Sequence, residues 1–212
     1  MKIVEIFFKS NKKFKGRDAE KLRGFMAHHF SDIIEFHNHK DELSFNYKSS
    51  IIQYRVINGE LSILGVEKGA DLLLEHCQNI NELEIGGEKI SVIPETKVSF
   101  SNLEIADRPI YRYKFDSLWF ALNSENYMRF LNGELSLERQ LANNIIEFFK
   151  MCGIWADKQI IVEGEFNSEP LIQKDTQINC FYGEFVTNVN LPDSISLGKR
   201  KSIGLGRIKK IA

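Results

Sequence analysis

No stretch of the chain is apolar enough to cross a bilayer, for which a helix needs about 20 predominantly apolar residues. The opening residues, MKIVEIFFKS, also lack the layout of a secretory signal. A soluble, cytoplasmic protein with no membrane partner is expected. Cysteine is scarce: Cys77, Cys152 and Cys180 are odd in number, far apart and set in apolar contexts. That argues against a disulfide framework or a zinc ribbon and reads as buried, reduced thiols. Charge of one sign is missing too, since 28 Lys and Arg face 29 Asp and Glu, so no global field announces a polyanionic partner. No fixed short repeat and no low-complexity linker divides the sequence.

What is present is a core and an uneven placement of charge. Hydrophobic residues make up 43% and aromatics 11% of 212 residues, enough for one large domain or two small ones. After Asp193 there is no acid, while Lys199, Arg200, Lys201, Arg207, Lys209 and Lys210 crowd the last 14 residues. Lys9, Lys12, Lys13, Lys15 and Arg17 form a second cluster near the start. Local basic patches on a neutral chain are the pattern of a focused phosphate-binding track, or of solvated loops and a ragged terminus.

The first half reads as an ordered set of elements. Ile3, Val4, Ile6, Phe7 and Phe8 mark a strand over 2–9. Asp18 is placed to cap a helix carrying Leu22, Phe25, Met26 and Phe30 at helical spacing. IIQYRVI at 51–57 and ELSILGV at 60–66 flank Asn58-Gly59, a two-residue hairpin turn. Ala70, Leu73, Leu74 and Cys77 mark a second helix, and Ile90, Val92 and Ile93 a fourth strand over 89–94. The order β-α-β-β-α-β is the ferredoxin-like plan. In the second half 110–120 reads as extended. Ser136 caps a helix with Leu137, Leu141, Ile145, Phe148 and Phe149 on one face, and Gly153 stops it. Strands follow at 159–166 and 178–189, with a last one after Gly206. The expected class is α+β, with tandem ferredoxin-like (RRM-like, βαββαβ) domains at 1–105 and 106–212.

The most specific stretch is LPDSISLGKRKSIGLGR at 191–207. Gly198, Gly204 and Gly206 surround Lys199, Arg200, Lys201 and Ser202, and Arg207 follows. Glycine lets backbone amides approach a phosphate, and the cations supply charge. The order is neither a P-loop nor a dinucleotide fingerprint. The other reading is a surface loop before a final strand.

With these blocks in hand, the chain resembles the CRISPR-associated endoribonucleases that cut the repeat RNA of CRISPR transcripts, in their b subtype. The resemblance rests on HNHK at 37–40, IIQYRVINGELSILGVEKGADLL at 51–73, FDSLWFALNSENY at 115–127 and GEFVTNVNLPDSISLGKRKSIGLGR at 183–207, in that order. The last block is similar to the family's glycine-rich signature, with Ser196 where its first glycine is expected and Leu205 where an aromatic is common. The resemblance implies tandem ferredoxin-like domains and metal-independent, cofactor-free cleavage by the RNA's own 2′-hydroxyl, leaving 2′,3′-cyclic phosphate and 5′-hydroxyl ends. It implies repeat RNA as partner, with a CRISPR effector complex as a further candidate; the state would be a monomer or homodimer. RNA contact would fall on Gly198, Lys199, Arg200, Lys201, Ser202, Gly204, Gly206 and Arg207.

His37 and His39 gain meaning from this setting. If 36–47 is extended, both project to one side. Transesterification needs a base and an acid, and two imidazoles of ordinary pKa near 6.5 can supply both close to neutrality. Lys40 could offset charge on the phosphorane, and Tyr47, carried over with the histidine pair from the family, could orient the phosphate. The adjacent letters HNH do not make an HNH nuclease, whose residues are dispersed over a ββα metal fold. His37 and His39 alone are too few ligands for zinc. His28 and His29 diverge by about 100° on a helix, so they read as helix-end residues, and His76 as a plain helical one. Phe7, Phe8, Phe115, Trp119, Phe120, Phe181, Tyr182 and Phe185 read mostly as core, with no stacking site assigned. The competing functional reading is the same fold holding repeat RNA without cutting it, alone or as an effector-complex subunit.

Overall fold

The computed structural model describes residues 1–37, 39–41, 44–45, 51–173 and 176–211; for 37, 39–41, 44–45 and 173 the backbone alone is described. The chain forms two units, Met1–Ser101 and the chain from Asn102 on, with Ser202–Gly204 counted in the first.

In the first unit the elements run β1 (Lys2–Lys9), α1 (Asp18–His29), α2 (Ile34–His37), β2 (His39–Asp41), β3 (Ser44–Phe45), β4 (Ile52–Ile57), β5 (Glu60–Val66), α3 (Lys68–His76), β6 (Glu82–Ile85), β7 (Glu88–Ser91) and β8 (Ile93–Phe100). The main sheet is antiparallel in the order β4-β5-β1-β8, which is the ferredoxin-like arrangement. Alternation along β1 sends Val4, Ile6 and Phe8 inward, where they join Leu61 and Ile63 of β5, Leu22 and Met26 of α1 and Leu73 of α3. Asn58 and Gly59 both take positive φ, 52° and 79°, so β4 and β5 join through the two-residue turn with Ile57 opposite Glu60.

The expected fourth strand and the expected cap of α1 need correction. The fourth strand is β8, not 89–94. Residues 88–91 form β7, paired with β6 in a separate hairpin that buries Leu83, Ile85 and Ile90. β8 lies at the sheet edge and exposes most of its residues, so no alternation marks it. Asp18 is the first helical residue of α1, not its cap; its carboxylate accepts from the Lys15 amide at 2.9 Å.

In the second unit the elements are β9 (Tyr111–Phe115), α4 (Ser124–Leu131), α5 (Leu137–Met151), β10 (Val162–Gln173), β11 (Thr176–Thr187) and β12 (Ile208–Lys210). The order β10-β11-β9-β12 repeats the ferredoxin-like arrangement, but the place of the second helix, between β11 and β12, is taken by the glycine-bearing loop. Ser136 caps α5 as expected, accepting from the Arg139 amide at 3.2 Å. At its far end the amides of Gly153 and Ile154 return to Lys150 and Phe149, the paired bonds of a Schellman stop. Tyr113, Phe115, Phe181 and Phe185 of the sheet and Leu141, Ile145, Phe148 and Phe149 of α5 are all buried.

Cys77 and Cys180 are buried, whereas Cys152 is half-buried. Burial pushes the Cys77 thiol up to about 12 and the Cys180 thiol up to about 11. Titration of the native protein with an aromatic disulfide at pH 8 should therefore consume one thiol quickly, Cys152, and the other two after unfolding. Three fast equivalents would contradict this packing. No described helix is long and apolar enough to cross a membrane.

Candidate functional site

The histidine segment begins on a fixed base. Phe36 is fully buried and stacks on Phe30 at 4.6 Å, and the Tyr54 hydroxyl donates to the Phe36 carbonyl at 2.9 Å. Burial raises the Tyr54 phenol well above its ordinary value, so it remains a neutral donor. Glu35 forms an ion pair with Lys68. These contacts set the backbone just before His37.

His37 is the last residue of α2 and His39 the first of β2, opposite Phe45 of β3. The stretch 36–47 is therefore not one extended run, and strand alternation does not govern the relation of the two histidines. Helical φ/ψ at 37 breaks the period of two. The side chains of His37, His39 and Lys40, and the whole of Tyr47, lie outside the described residues. His28 and His29 are exposed in the last turn of α1, with His29 stacked on Phe25 at 5.3 Å. His76 ends α3, 5.7 Å from the Phe30 ring.

The loop at 191–207 is built on Trp119. This indole is fully buried, stacks on Phe115 at 5.0 Å and donates from Nε1 to Asn144 Oδ1 at 3.1 Å. The loop folds back on itself as a hairpin: the Leu197 amide donates to Gly206 at 2.9 Å and the Ile208 amide to Ile195 at 2.9 Å. It is stitched to 116–120 by the Gly206 amide to Leu118 (2.8 Å), the Lys199 amide to Phe120 (2.9 Å) and the Arg207 amide to Ser117 Oγ (2.8 Å). The Tyr113 hydroxyl holds the start of the loop by donating to Leu191 at 3.0 Å.

Gly198 and Gly206 have a packing reason to be glycine. Both take positive φ, 85° and 70°. A Cβ at 198 would sit 2.6 Å from Trp119 Nε1, and one at 206 would sit 2.0 Å from the Leu197 carbonyl. The amides of Leu197, Lys199, Gly206 and Arg207 already donate within the protein. The geometry makes the loop a pedestal on Trp119 and 116–120, and it carries its basic side chains at the tip.

Those side chains fall into two groups. Lys199 and Arg200 are exposed, and the Arg200 guanidinium lies 5.8 Å from the Phe120 ring. Arg200 itself takes a positive φ of 56°, which pins the turn. Lys201 and Arg207 are engaged with acids. Lys201 Nζ is 3.4 Å from Glu147, and Arg207 places Nε at 2.9 Å and Nη2 at 2.8 Å from Asp116 Oδ2. Ser202 is buried and Gly204 half-buried, with φ of 84° at Gly204. The N-terminal cluster is partly spent in the same way: Lys9 pairs with Glu60 at 2.6 Å and Glu95 at 3.4 Å, and Lys12 pairs with Glu88. Phe8, Phe115, Trp119, Phe181 and Phe185 are buried as core, while Tyr182 is exposed. Trp155 is exposed as well.

Comparison with known proteins matches both halves. Residues 1–103 match the family described as the Cas6b N-terminal domain, and residues 105–211 that described as the Cas6b C-terminal domain. An uncharacterized protein of Methanocaldococcus jannaschii is 30% identical over 141 residues, covering 63% of this chain and 95% of that protein. A crystal structure of Cas6b superposes with a TM-score of 0.87 at 26% identity, over the whole of both chains. The structure of a CRISPR RNA processing endoribonuclease Cas6b superposes with a TM-score of 0.74 at 23% identity, also over both whole chains, and so shares the fold. With its two halves matched in order by the two domains of one family, the chain belongs to the Cas6b family, the b subtype that its sequence blocks resemble.

Proposed function

We propose that this protein is an endoribonuclease that cuts CRISPR repeat RNA, using the RNA's own 2′-hydroxyl and no metal. The observation that carries the reading is family membership over nearly the whole chain, 1–103 and 105–211. In the proposed step one imidazole of the pair His37 and His39 removes the 2′ proton. The 2′-oxygen bonds to phosphorus, the P–O5′ bond breaks, and the other imidazole protonates the departing 5′-oxygen. The products are a 2′,3′-cyclic phosphate and a 5′-hydroxyl end. Lys40 offsets the added negative charge and Tyr47 orients the phosphate.

Lys199 and Arg200 are the loop's phosphate contacts in this reading. Their exposure at the tip of a rigid hairpin supports that role. Replacing both by alanine should weaken repeat-RNA binding and flatten its salt dependence by roughly 0.7–0.9 in log–log slope per cation lost. Arg207→Ala should instead lower stability, because its guanidinium is committed to Asp116. Salt-series filter binding with a denaturation curve for each variant checks both; an unchanged slope in the Lys199/Arg200 double variant counts against the assignment.

The test of the function is direct. A labelled repeat RNA incubated with the protein in EDTA should give a single cut with a cyclic phosphate end. A shifted but uncut RNA between pH 6 and 8.5 would instead mark a binding protein without turnover.

A further inference from the structure

Arg139, Asn143, Ile146 and Lys150 follow one another along α5 at spacings of four, three and four residues. That spacing puts them in a single stripe, away from the buried stripe of Leu141, Ile145 and Phe148. From Arg139 to Lys150 the helix rises about 16 Å. After the stop at Gly153 the chain returns beside this stripe through 154–160, and the two walls enclose a groove of about 330 Å³. Trp155 lines it with 85% of its surface exposed, the largest exposure among the large apolar side chains of the described residues.

The lining chemistry narrows the occupant. Arg139, Lys150 and Lys158 line the groove, and no carboxylate does. Lys158 is held by Asp107 at 2.7 Å, so Arg139 and Lys150 supply the charge. Asn143 and Gln159 add amides, which both donate and accept. A partner helix seeks apolar anchors at helical spacing. Here the α5 stripe offers one, Ile146, between polar and charged residues; of the other large apolar lining residues besides Trp155, Phe149 and Ile160 are buried and Ile154 is half-buried. An open aromatic face bracketed by cations suits a flexible polyanion with flat bases.

We propose that this groove binds a short single-stranded segment of RNA, one base stacking on Trp155 and flanking phosphates meeting Arg139 and Lys150. Asn143 and Gln159 face the base edges. The site shares no lining residue with the 191–207 loop, so it is a second hold on the strand. The inference rests on the reading of RNA as this protein's ligand.

The chain has two tryptophans, and one is fully buried while the other is exposed, so quenching of intrinsic fluorescence reports selectively on Trp155. The probes are an eight-nucleotide oligouridylate and a labelled repeat RNA with unpaired flanks. Both should quench the exposed indole and shield it from acrylamide. Trp155→Ala should abolish the response and raise the oligouridylate Kd by about 5- to 100-fold, in keeping with stacking energies. The double variant Arg139→Glu, Lys150→Glu should weaken binding in a salt-dependent way, and Trp155→Phe should keep most of it. Wild-type affinity in Trp155→Ala, with an indole that stays open to acrylamide when RNA is bound, would overturn the groove and leave the proposed function standing. Failure of the unaltered protein to bind either RNA would overturn both.

Discussion

Replacing His37 and His39 together by alanine is expected to slow cleavage of a repeat RNA by at least about 10⁴-fold, since each well-placed proton transfer is worth roughly 10²–10⁴. Affinity should change by less than about threefold, because phosphate contacts dominate RNA binding and the loop cations are untouched. Each single variant should already lose most of the rate, and the losses should not add, as for groups that act as a unit. The rate of the unaltered protein should follow a bell in pH, with two apparent constants that belong to the pair. Single-turnover rates and Kd values for the three variants check this. A double variant that cuts normally would remove both histidines from the chemistry.

The second large effect concerns Trp119. Trp119→Ala should cost about 3–5 kcal/mol from lost packing. It also leaves the buried Asn144 carbonyl oxygen without the indole donor now at 3.1 Å, worth about another 1–3 kcal/mol. Gly198 and Gly206 close on the same indole and its neighbouring carbonyl, so the loop loses its seat. RNA affinity should fall even though no charge has been removed. Gly206→Ala should act in the same direction, since a Cβ there falls 2.0 Å from the Leu197 carbonyl at a φ of 70°. The two substitutions share a contact, so the double variant should fall short of their sum. Urea unfolding followed by circular dichroism measures all three. A Trp119→Ala protein as stable as the parent would contradict the pedestal.

Much of the fold was legible because local signals and burial agreed. The alternation of Val4, Ile6 and Phe8, the Asn58-Gly59 turn and the Ser136 cap each carry their own mechanism within a few residues. The fourth strand was misplaced for the same reason in reverse. β8 has little buried face to imprint a period, whereas the hairpin strand beside it buries Ile90. α4 buries none of its residues, although Asn123 caps it by accepting from the Asn126 amide. In the second unit a loop stands where the plan calls for a helix, and its residues carry no helical period to miss.

The candidate site was legible in kind and less so in detail. Residue types flagged the histidine pair and the basic loop, but charge alone could not say which cations are spent. Lys201 finds Glu147 and Arg207 finds Asp116 at sequence separations of 54 and 91, pairings set by the fold. Glycine spacing pointed to phosphate, while packing on Trp119 and the Leu197 carbonyl accounts for two of those glycines. The backbone at His37 is helical because Phe36 is anchored in the core, a long-range constraint that strand alternation does not contain.

In the proposed reaction the RNA supplies its own nucleophile. The most direct measurement compares two repeat RNAs in EDTA, identical except that one lacks the 2′-hydroxyl on the nucleotide before the scissile phosphate. A single cut with a cyclic phosphate end is expected in the first and none in the second, with equal binding of both. Cleavage of the deoxy-substituted RNA, or cleavage that appears only when Mg²⁺ is added, would contradict it.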